Sequence, residues 1–461
     1  MTPPKRPGER EGQSPRVCVI GAGSCGLVAL KVLQECGLQA RGFDLGAEVG
    51  GLWDQGNENG RSAAYDSLRI NTSREAMEYS DFPMDPSFGD YPVHSQIAQY
   101  LRDYATHFRL RESISFRTEV TRVRPSPAGG YSVELHSEAQ GKREAHFDAV
   151  VVANGHHWKK AFPDPLPSEG FSGTTLHSHD YKSPRVPYDL SGKVVLVVGM
   201  GNSAMDIASE LAQSGSTVRL SYRRGVWVVP RYLFGKPIDQ GTLIPHSIPP
   251  RLRRRLVTFA FRRLVGQMSD FGLPEPDHLI GEAHPTLSAE LPGLVRAGVI
   301  EMRPQISSAQ SRTVTYADGV QEQVDCIIYC TGYDVSFPFL EPSHVDVQDN
   351  RLPLYLRLFH PKHRHLFFVG LAQPHGAIIP VAEVQARLLA EHLGGAYNLP
   401  SPSELEAALE KEEERLRKRY VASRRHTMQI DPELYEKAIR VERRRGHRRA
   451  RRGTGQPFPR K

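Results

Sequence analysis

The chain has 461 residues, 39% of them hydrophobic and 24% charged, which leaves room for two or three domains with ordinary cores. Five cysteines without a CxxC pair exclude a disulfide scaffold, a zinc ribbon and a CxxC dithiol oxidoreductase, and point to a reducing compartment, the cytoplasm. The formal net charge is +7, but residues 443–461 hold nine cations and no acid, so the other 442 residues stand at −2 and no uniformly basic, nucleic-acid-binding domain is present.

In chain order, residues 1–15 are rich in Pro, Gly and charge and read as disordered, without the apolar stretch of a secretory signal. Val17–Ile20 is a β-branched run typical of a buried parallel strand. It leads into Gly21-Ala22-Gly23-Ser24-Cys25-Gly26, a helical apolar pattern over Leu27–Leu33, and a strand over Ala40–Leu45. The same unit returns as Val194–Val198, Gly199-Met200-Gly201-Asn202-Ser203-Ala204, a helix over Met205–Gln213 and a strand over Thr217–Tyr222. Two copies are too few for a solenoid and define two dinucleotide-binding units. Between them, His94–Phe108 has helical spacing, while Ile114–Val123, Tyr131–Leu135 and Ala149–Val152 read as strands. Residues 234–300 read as mainly helical, with Arg251-Leu252-Arg253-Arg254-Arg255 on a solvated helix face. Strands resume at Asp325–Tyr329 and His365–Val369, followed by helices at Ala382–Leu393 and Glu404–Arg419. The basic tail 443–461 reads as disordered and dispensable, with no clear nucleic-acid partner. No stretch approaches the roughly 18 apolar residues of a spanning helix, so no transmembrane anchor is expected.

Each motif position answers a need of a bound dinucleotide. Gly21 permits the tight turn, Gly23 lets the backbone approach a pyrophosphate, and Gly26 lets helix and strand pack closely. From Ser24 onward the helix N-terminus offers unpaired N–H groups and the positive end of its dipole to phosphate. Asp44, near the end of the next strand, can accept hydrogen bonds from a ribose 2′-OH. In the second unit Gly199 and Gly201 repeat the turn, Asn202 and Ser203 open the helix, and Ala204 stands in for the third glycine. Its second strand runs into Arg223-Arg224 instead of an acid, which suits a 2′-phosphate. The first unit therefore suits FAD and the second NADP, with the flavin reduced by the nicotinamide.

Longer stretches resemble the flavin-containing monooxygenase family over roughly residues 16–395. Phe171–Tyr181 fits that family's FxGxxxHxxx[YF] signature; a Trp in place of Tyr181 would have favoured the Baeyer–Villiger branch. Gly50-Gly51-Leu52-Trp53, Ser67–Ser73 with Ser80-Asp81-Phe82-Pro83, Thr331-Gly332-Tyr333 and the Gly370–Arg387 region are similar to its other motifs. The resemblance implies an NADPH- and O2-dependent FAD enzyme of the N,N-dimethylaniline type. It would oxygenate the nitrogen or sulfur of a small nucleophilic substrate through a flavin C4a-hydroperoxide. It places Gly51, Leu52, Trp53, Thr72, Thr331 and Gly332 at the cofactors and Asn71 as the catalytic amide at the flavin edge, with His177 as a structural linker and no metal. Taken alone, Asn71-Thr72-Ser73 is turn chemistry and Trp53 a packing residue. The sequence is shorter than the family's microsomal members, and a C-terminal hydrophobic anchor like theirs is not expected.

The expected fold is α/β, with an NADP domain inserted in an FAD domain. Residues 16–168 and 328–442 form the FAD domain and 169–327 the NADP domain. A homodimer is left open. A Baeyer–Villiger monooxygenase, an NADPH oxidase and a non-catalytic flavin-binding interaction protein share this architecture.

Overall fold

The computed structural model describes residues 14–241, 244, 248–419 and 427–459. The first thirteen residues of the expected disordered N-terminus, and the last two of the basic tail, lie outside the described residues. Ser14 and Pro15 are tied to the fold: Ser14 Oγ donates to Gly37 O at 2.6 Å and Gln39 N to Pro15 O at 3.1 Å.

The first sheet is built by β1 (Arg16–Ile20), β2 (Gln39–Phe43) and β3 (Ile114–Ser115), with α1 (Ser24–Glu35) between the first two and α2 (His94–His107) before the third. An antiparallel ribbon of β4 (Glu119–Pro125), β5 (Tyr131–Ser137) and β6 (Gly141–Phe147) precedes β7 (Ala149–Val152). The chain then leaves for the second unit: β8 (Thr174–His177), β9 (Val194–Val198), α3 (Asn202–Gln213), β10 (Thr217–Ser221), α4 (Pro250–Leu264), β11 (Ile300–Arg303) and β12 (Cys326–Tyr329). It returns for β13 (Leu366–Phe368), α5 (Ile379–Leu393), α6 (Pro402–Arg419) and α7 (Pro432–Arg452). The strand orders are β3-β2-β1-β7-β13 and β11-β10-β9-β12-β8, all parallel. Apolar runs make this possible: every residue of β7 and β12 is buried, as a strand covered on both faces requires. Helix α1 buries Leu27–Leu33 against α5, and its one buried cation, Lys31, pairs with Asp81 and with Glu35.

Four expectations need correction. The second unit does not end at residue 327: β12 stays in register with β8 and β9 through Tyr329, so the chain re-enters the first unit after Tyr329. Residues 234–300 are mainly loops and short strands, because α4 and the six-residue helix Leu291–Arg296 are the only α-helices described there. The arginine run on α4 is not a wholly solvated face: Arg254 is 13% exposed, faces Glu282 at 3.8 Å and donates to Arg419 O at 3.1 Å.

The basic tail is ordered through residue 459 and belongs to the first unit. Its first ten residues complete α7, which docks one face on α5. Arg443 and His447 converge on Glu391, the latter at 2.9 Å, and Arg449 pairs with Glu442. Leu399 and Gln456 exchange backbone hydrogen bonds at 2.9 Å, and Phe458 is buried in the core. Composition misled because the cations crowd the outer face of a helix whose inner face carries Tyr435, Ile439, Glu442 and Gly446. Gly446 seats the ring of Tyr397: a Cβ there would stand 2.0 Å from it. Gly446→Ala is expected to lower stability by about 1–3 kcal/mol in urea unfolding. Arg444→Ala, on the exposed face, should stay within about 0.5 kcal/mol of the parent. Deleting residues 443–461 should destabilise the fold as well.

Candidate active site

At the C-terminal ends of β1 and β9 both glycine-rich turns open into one continuous cleft of about 2310 Å³. One small-molecule site is typically about 300–1,000 Å³, so this cleft has room for two dinucleotides.

The three glycines of the first turn serve three separate constraints. Gly21 has φ +105°, and a Cβ there would sit 2.6 Å from Ala153 O. At Gly26 a Cβ would lie 1.9 Å from Gly21 O, so only glycine lets α1 start this close to β1. A Cβ at Gly23 would meet only the Cα of Gly51, at 3.8 Å, so its open side faces the cleft. Gly26 itself is buried and packs the turn without lining the cleft. Asp44 lines the cleft, and its carboxylate also builds the turn: Ala22 N and Gly46 N each donate to it at 2.6 Å. Burial raises its pKa, opposed by those two N–H groups. Each of its oxygens keeps a lone pair for a ribose hydroxyl. Ser24, Gly51, Leu52 and Trp53 line the same end, and Trp53 also packs on the first core.

The second turn repeats the geometry with one difference. Gly199 has φ +132° and its Cβ position is blocked by Cys330 O at 2.6 Å. Ala204 is fully buried in the place equivalent to Gly26, so it packs and does not line the cleft. Gly201, Asn202 and Ser203 line the cleft, and Asn202 Oδ1 also accepts from Leu287 N at 3.0 Å. Arg223 and Arg224 are exposed at its edge. Arg224 faces Asp277 at 3.3 Å, whereas no carboxylate pairs with Arg223 among the described residues.

Asn71 and Thr72 stand in the same wall. Thr331 and Gly332 reach it too, but their polar groups are engaged: Thr331 Oγ1 donates to Ala161 O at 2.6 Å, and Gly332 O accepts from Ala161 N at 3.1 Å. His177 lies 3.1 Å from Gly332 O through Nε2 and accepts from His179 N through Nδ1, so its ring is the Nε2–H tautomer. Burial pushes its pKa down to about 4, so it stays neutral and braces β8 against the segment after β12. Burial lifts the cleft thiols Cys25 and Cys330 to about 11 and about 12, which keeps both protonated.

Spacing alone did not reveal how the two units are joined. From the first unit, Tyr65 Oη donates to Asp206 at 2.8 Å and Ser67 Oγ to Glu210 at 2.9 Å, while Tyr181 Oη of the second unit itself donates to the same Glu210 at 2.9 Å. Lys182 Nζ donates to Ser62 O at 3.1 Å and Ala64 O at 3.0 Å. The available signal was the pair of acids at i and i+4 on α3, amid buried apolar neighbours.

Two glycine-rich turns that share one cleft match the pattern of a flavoprotein oxidoreductase with a second nucleotide site. Residues 14–441 match the family described as flavin-binding monooxygenase-like. The chain is 37% identical over 432 residues to Flavin-containing monooxygenase 5 of Homo sapiens, covering 90% of this chain and 80% of that one. It is 37% identical over 422 residues to the N-oxide-forming dimethylaniline monooxygenase 2 of Rattus norvegicus, covering 87% and 77%. The solved S-allyl-L-cysteine S-oxygenase of Allium sativum shares the fold with a TM-score of 0.70 at 24% identity, over 96% of this chain and 94% of that one. The chain belongs to the flavin-binding monooxygenase family and is an FAD-dependent monooxygenase that uses NADPH.

The open side of Gly23 fits a pyrophosphate, and this separates binding from folding. Gly23→Val is expected to give a folded protein, by circular dichroism, that is purified colourless. Gly26→Ala should instead lose soluble, folded protein, because its methyl group would overlap a backbone carbonyl.

Proposed function

We propose that the cleft oxygenates soft nucleophiles, amine nitrogen or sulfide sulfur, with Asn71 as the protein group at the reacting edge of the flavin. The observation that carries this reading is that both nucleotide cradles and the Asn71 turn line one cleft. The names of the relatives support the substrate class, one being N-oxide-forming and the neighbour in fold an S-oxygenase.

Bound FAD, reduced by NADPH, supplies the activation of dioxygen, by which one oxygen atom reaches the substrate lone pair and the other leaves as water. The chain's own residues bind, orient and exclude. The α1 N-terminus at Ser24 and the open face of Gly23 hold the pyrophosphate, and Asp44 takes the ribose while it fixes the turn. Gly51, Leu52 and Trp53 bound the flavin. Gly199, Gly201, Asn202 and Ser203 hold the second pyrophosphate. Thr331 and Gly332 contribute backbone, since the threonine hydroxyl is held by Ala161. Asn71 can donate and accept at once, so with Thr72 it can bridge the two cofactors. An amine or sulfide brings its own lone pair, so no general base is required; the neutral His177 and the protonated thiols fit that demand. The hairpin strands Tyr232–Leu233 and Lys236–Pro237 contribute to the cleft wall and help keep water out, which protects the activated oxygen.

No helix of the described residues is long and apolar enough to cross a membrane. Together with five cysteines that are all free, this favours action in the cytoplasm.

Three outcomes are expected. Arg223→Ala should raise the KM for NADPH roughly ten- to hundredfold and leave that for NADH unchanged, the size of a charge-assisted contact to phosphate. Arg224→Ala should do less, because Asp277 already competes for that guanidinium. Asn71→Ala should keep FAD and its reduction by NADPH but divert oxygen to hydrogen peroxide. Peroxide released, NADPH consumed and sulfoxide formed, measured together, check this.

A further inference from the structure

The turn that carries Asn71 is held from the other domain. Between β10 and α4 the second unit sends out an antiparallel hairpin, Tyr232–Leu233 with Lys236–Pro237, followed by a single helical turn, Ile238–Gln240. This excursion crosses to the first unit at several points. Tyr91 Oη donates to Arg231 O, and the rings of Tyr91 and Tyr232 meet edge-on at 5.4 Å. Gln240 Nε2 donates to Glu75 at 3.1 Å. Between these contacts, Asp239 Oδ2 accepts from Ser73 N at 2.6 Å.

Ser73 is the residue just before the short helix Arg74–Met77, and its side chain makes no capping hydrogen bond. On the other side of Asn71, Ile70 N donates to Pro92 O at 3.1 Å. Asn71 and Thr72 thus form a two-residue span between one anchor within the first unit and one supplied by Asp239. All three residues line the cleft. No cation pairs with Asp239 among the described residues, so the Ser73 N–H is the partner the structure assigns to its charge. A carboxylate accepting from a backbone N–H makes a shorter and stronger bond than a neutral acceptor.

We propose that Asp239 is a positioning residue: its carboxylate, reaching across from the NADP-binding unit, sets the direction in which Asn71 presents its amide to the cleft. The proposal rests on the role given to Asn71 above. It also makes the Asn71 turn sensitive to whether the two units are correctly seated, because the anchor belongs to the second unit and the amide to the first.

The test compares the FAD-loaded parent, Asp239→Ala, Asp239→Asn and Asn71→Ala. Asparagine keeps a carbonyl oxygen that can accept from Ser73 N, whereas alanine keeps nothing. FAD content, melting midpoint and the rate of flavin reduction by NADPH are expected to match the parent in both Asp239 variants. Asp239→Ala should release peroxide as Asn71→Ala does, and hydrogen–deuterium exchange in the peptide covering residues 70–77 should rise about tenfold, the loss of one charge-assisted hydrogen bond. Asp239→Asn should restore most of the coupling and most of the protection. Parent-level coupling and exchange in Asp239→Ala would overturn the proposal. So would equal damage by asparagine and alanine, which would make the charge and not the acceptor decisive, or loss of FAD from Asp239→Ala, which would make the contact a requirement of the fold. If Asn71→Ala itself stays coupled, the role of Asn71 fails, while the exchange measurement still decides whether Asp239 holds the turn.

Discussion

Two carboxylates one helical turn apart keep the nucleotide sites facing each other. Asp206 and Glu210 project from α3, the helix that follows the second glycine-rich turn, and three hydroxyls grip them, two from the first unit (Tyr65, Ser67) and one from the second (Tyr181). Burial lifts Asp206 to about 6, so placing this charge between the units is costly, and the Tyr65 hydroxyl offsets part of the cost. An apolar contact of the same size would tolerate sliding. Directional bonds to fixed oxygens do not, and the distance between flavin and nicotinamide depends on that register.

The same constraint explains the Phe171–Tyr181 signature as a joint. Gly173 leaves room for the Phe171 ring, which a Cβ would approach to 2.5 Å. His177 braces the end of the second sheet, and Tyr181, fully buried, supplies one of the three hydroxyls. None of these positions needs to touch a substrate. Their tolerance to change is set by how closely two rigid bodies must be aligned.

Most of the sheet architecture could be read from the chain because it is local. β-branched runs bounded by glycine turns become buried parallel strands wherever helices can cover them, and Val194–Val198 falls where its pattern places it. The roles of Gly21, Gly23 and Gly26 follow from the same local geometry. Contacts distant in sequence were not readable. The partner of Ser73 N lies 166 residues away in a stretch whose apolar spacing imitates helix but lines the cleft with loops. The tail misled for the opposite reason. Its nine cations dominate the composition, while its docking depends on one glycine, one phenylalanine and two acids that composition does not weigh. Asn71 was singled out by resemblance alone, since nothing in an Asn-Thr-Ser turn distinguishes a cofactor contact from a bend.

The order in which the sheets are completed has a bearing on synthesis. β13 is the outer neighbour of β7, pairing Leu366 with Val150, yet the whole second sheet lies between them in the chain. A ribosome therefore releases every strand of the inserted unit before the enclosing unit receives its last one. Until then the apolar edge of β7 is open to pairing with another nascent chain. The inserted unit can fold early and hold the two ends of the enclosing one close together, which lowers the entropy of that late closure. A slow or damaged insert would thus appear first as aggregation of the enclosing half.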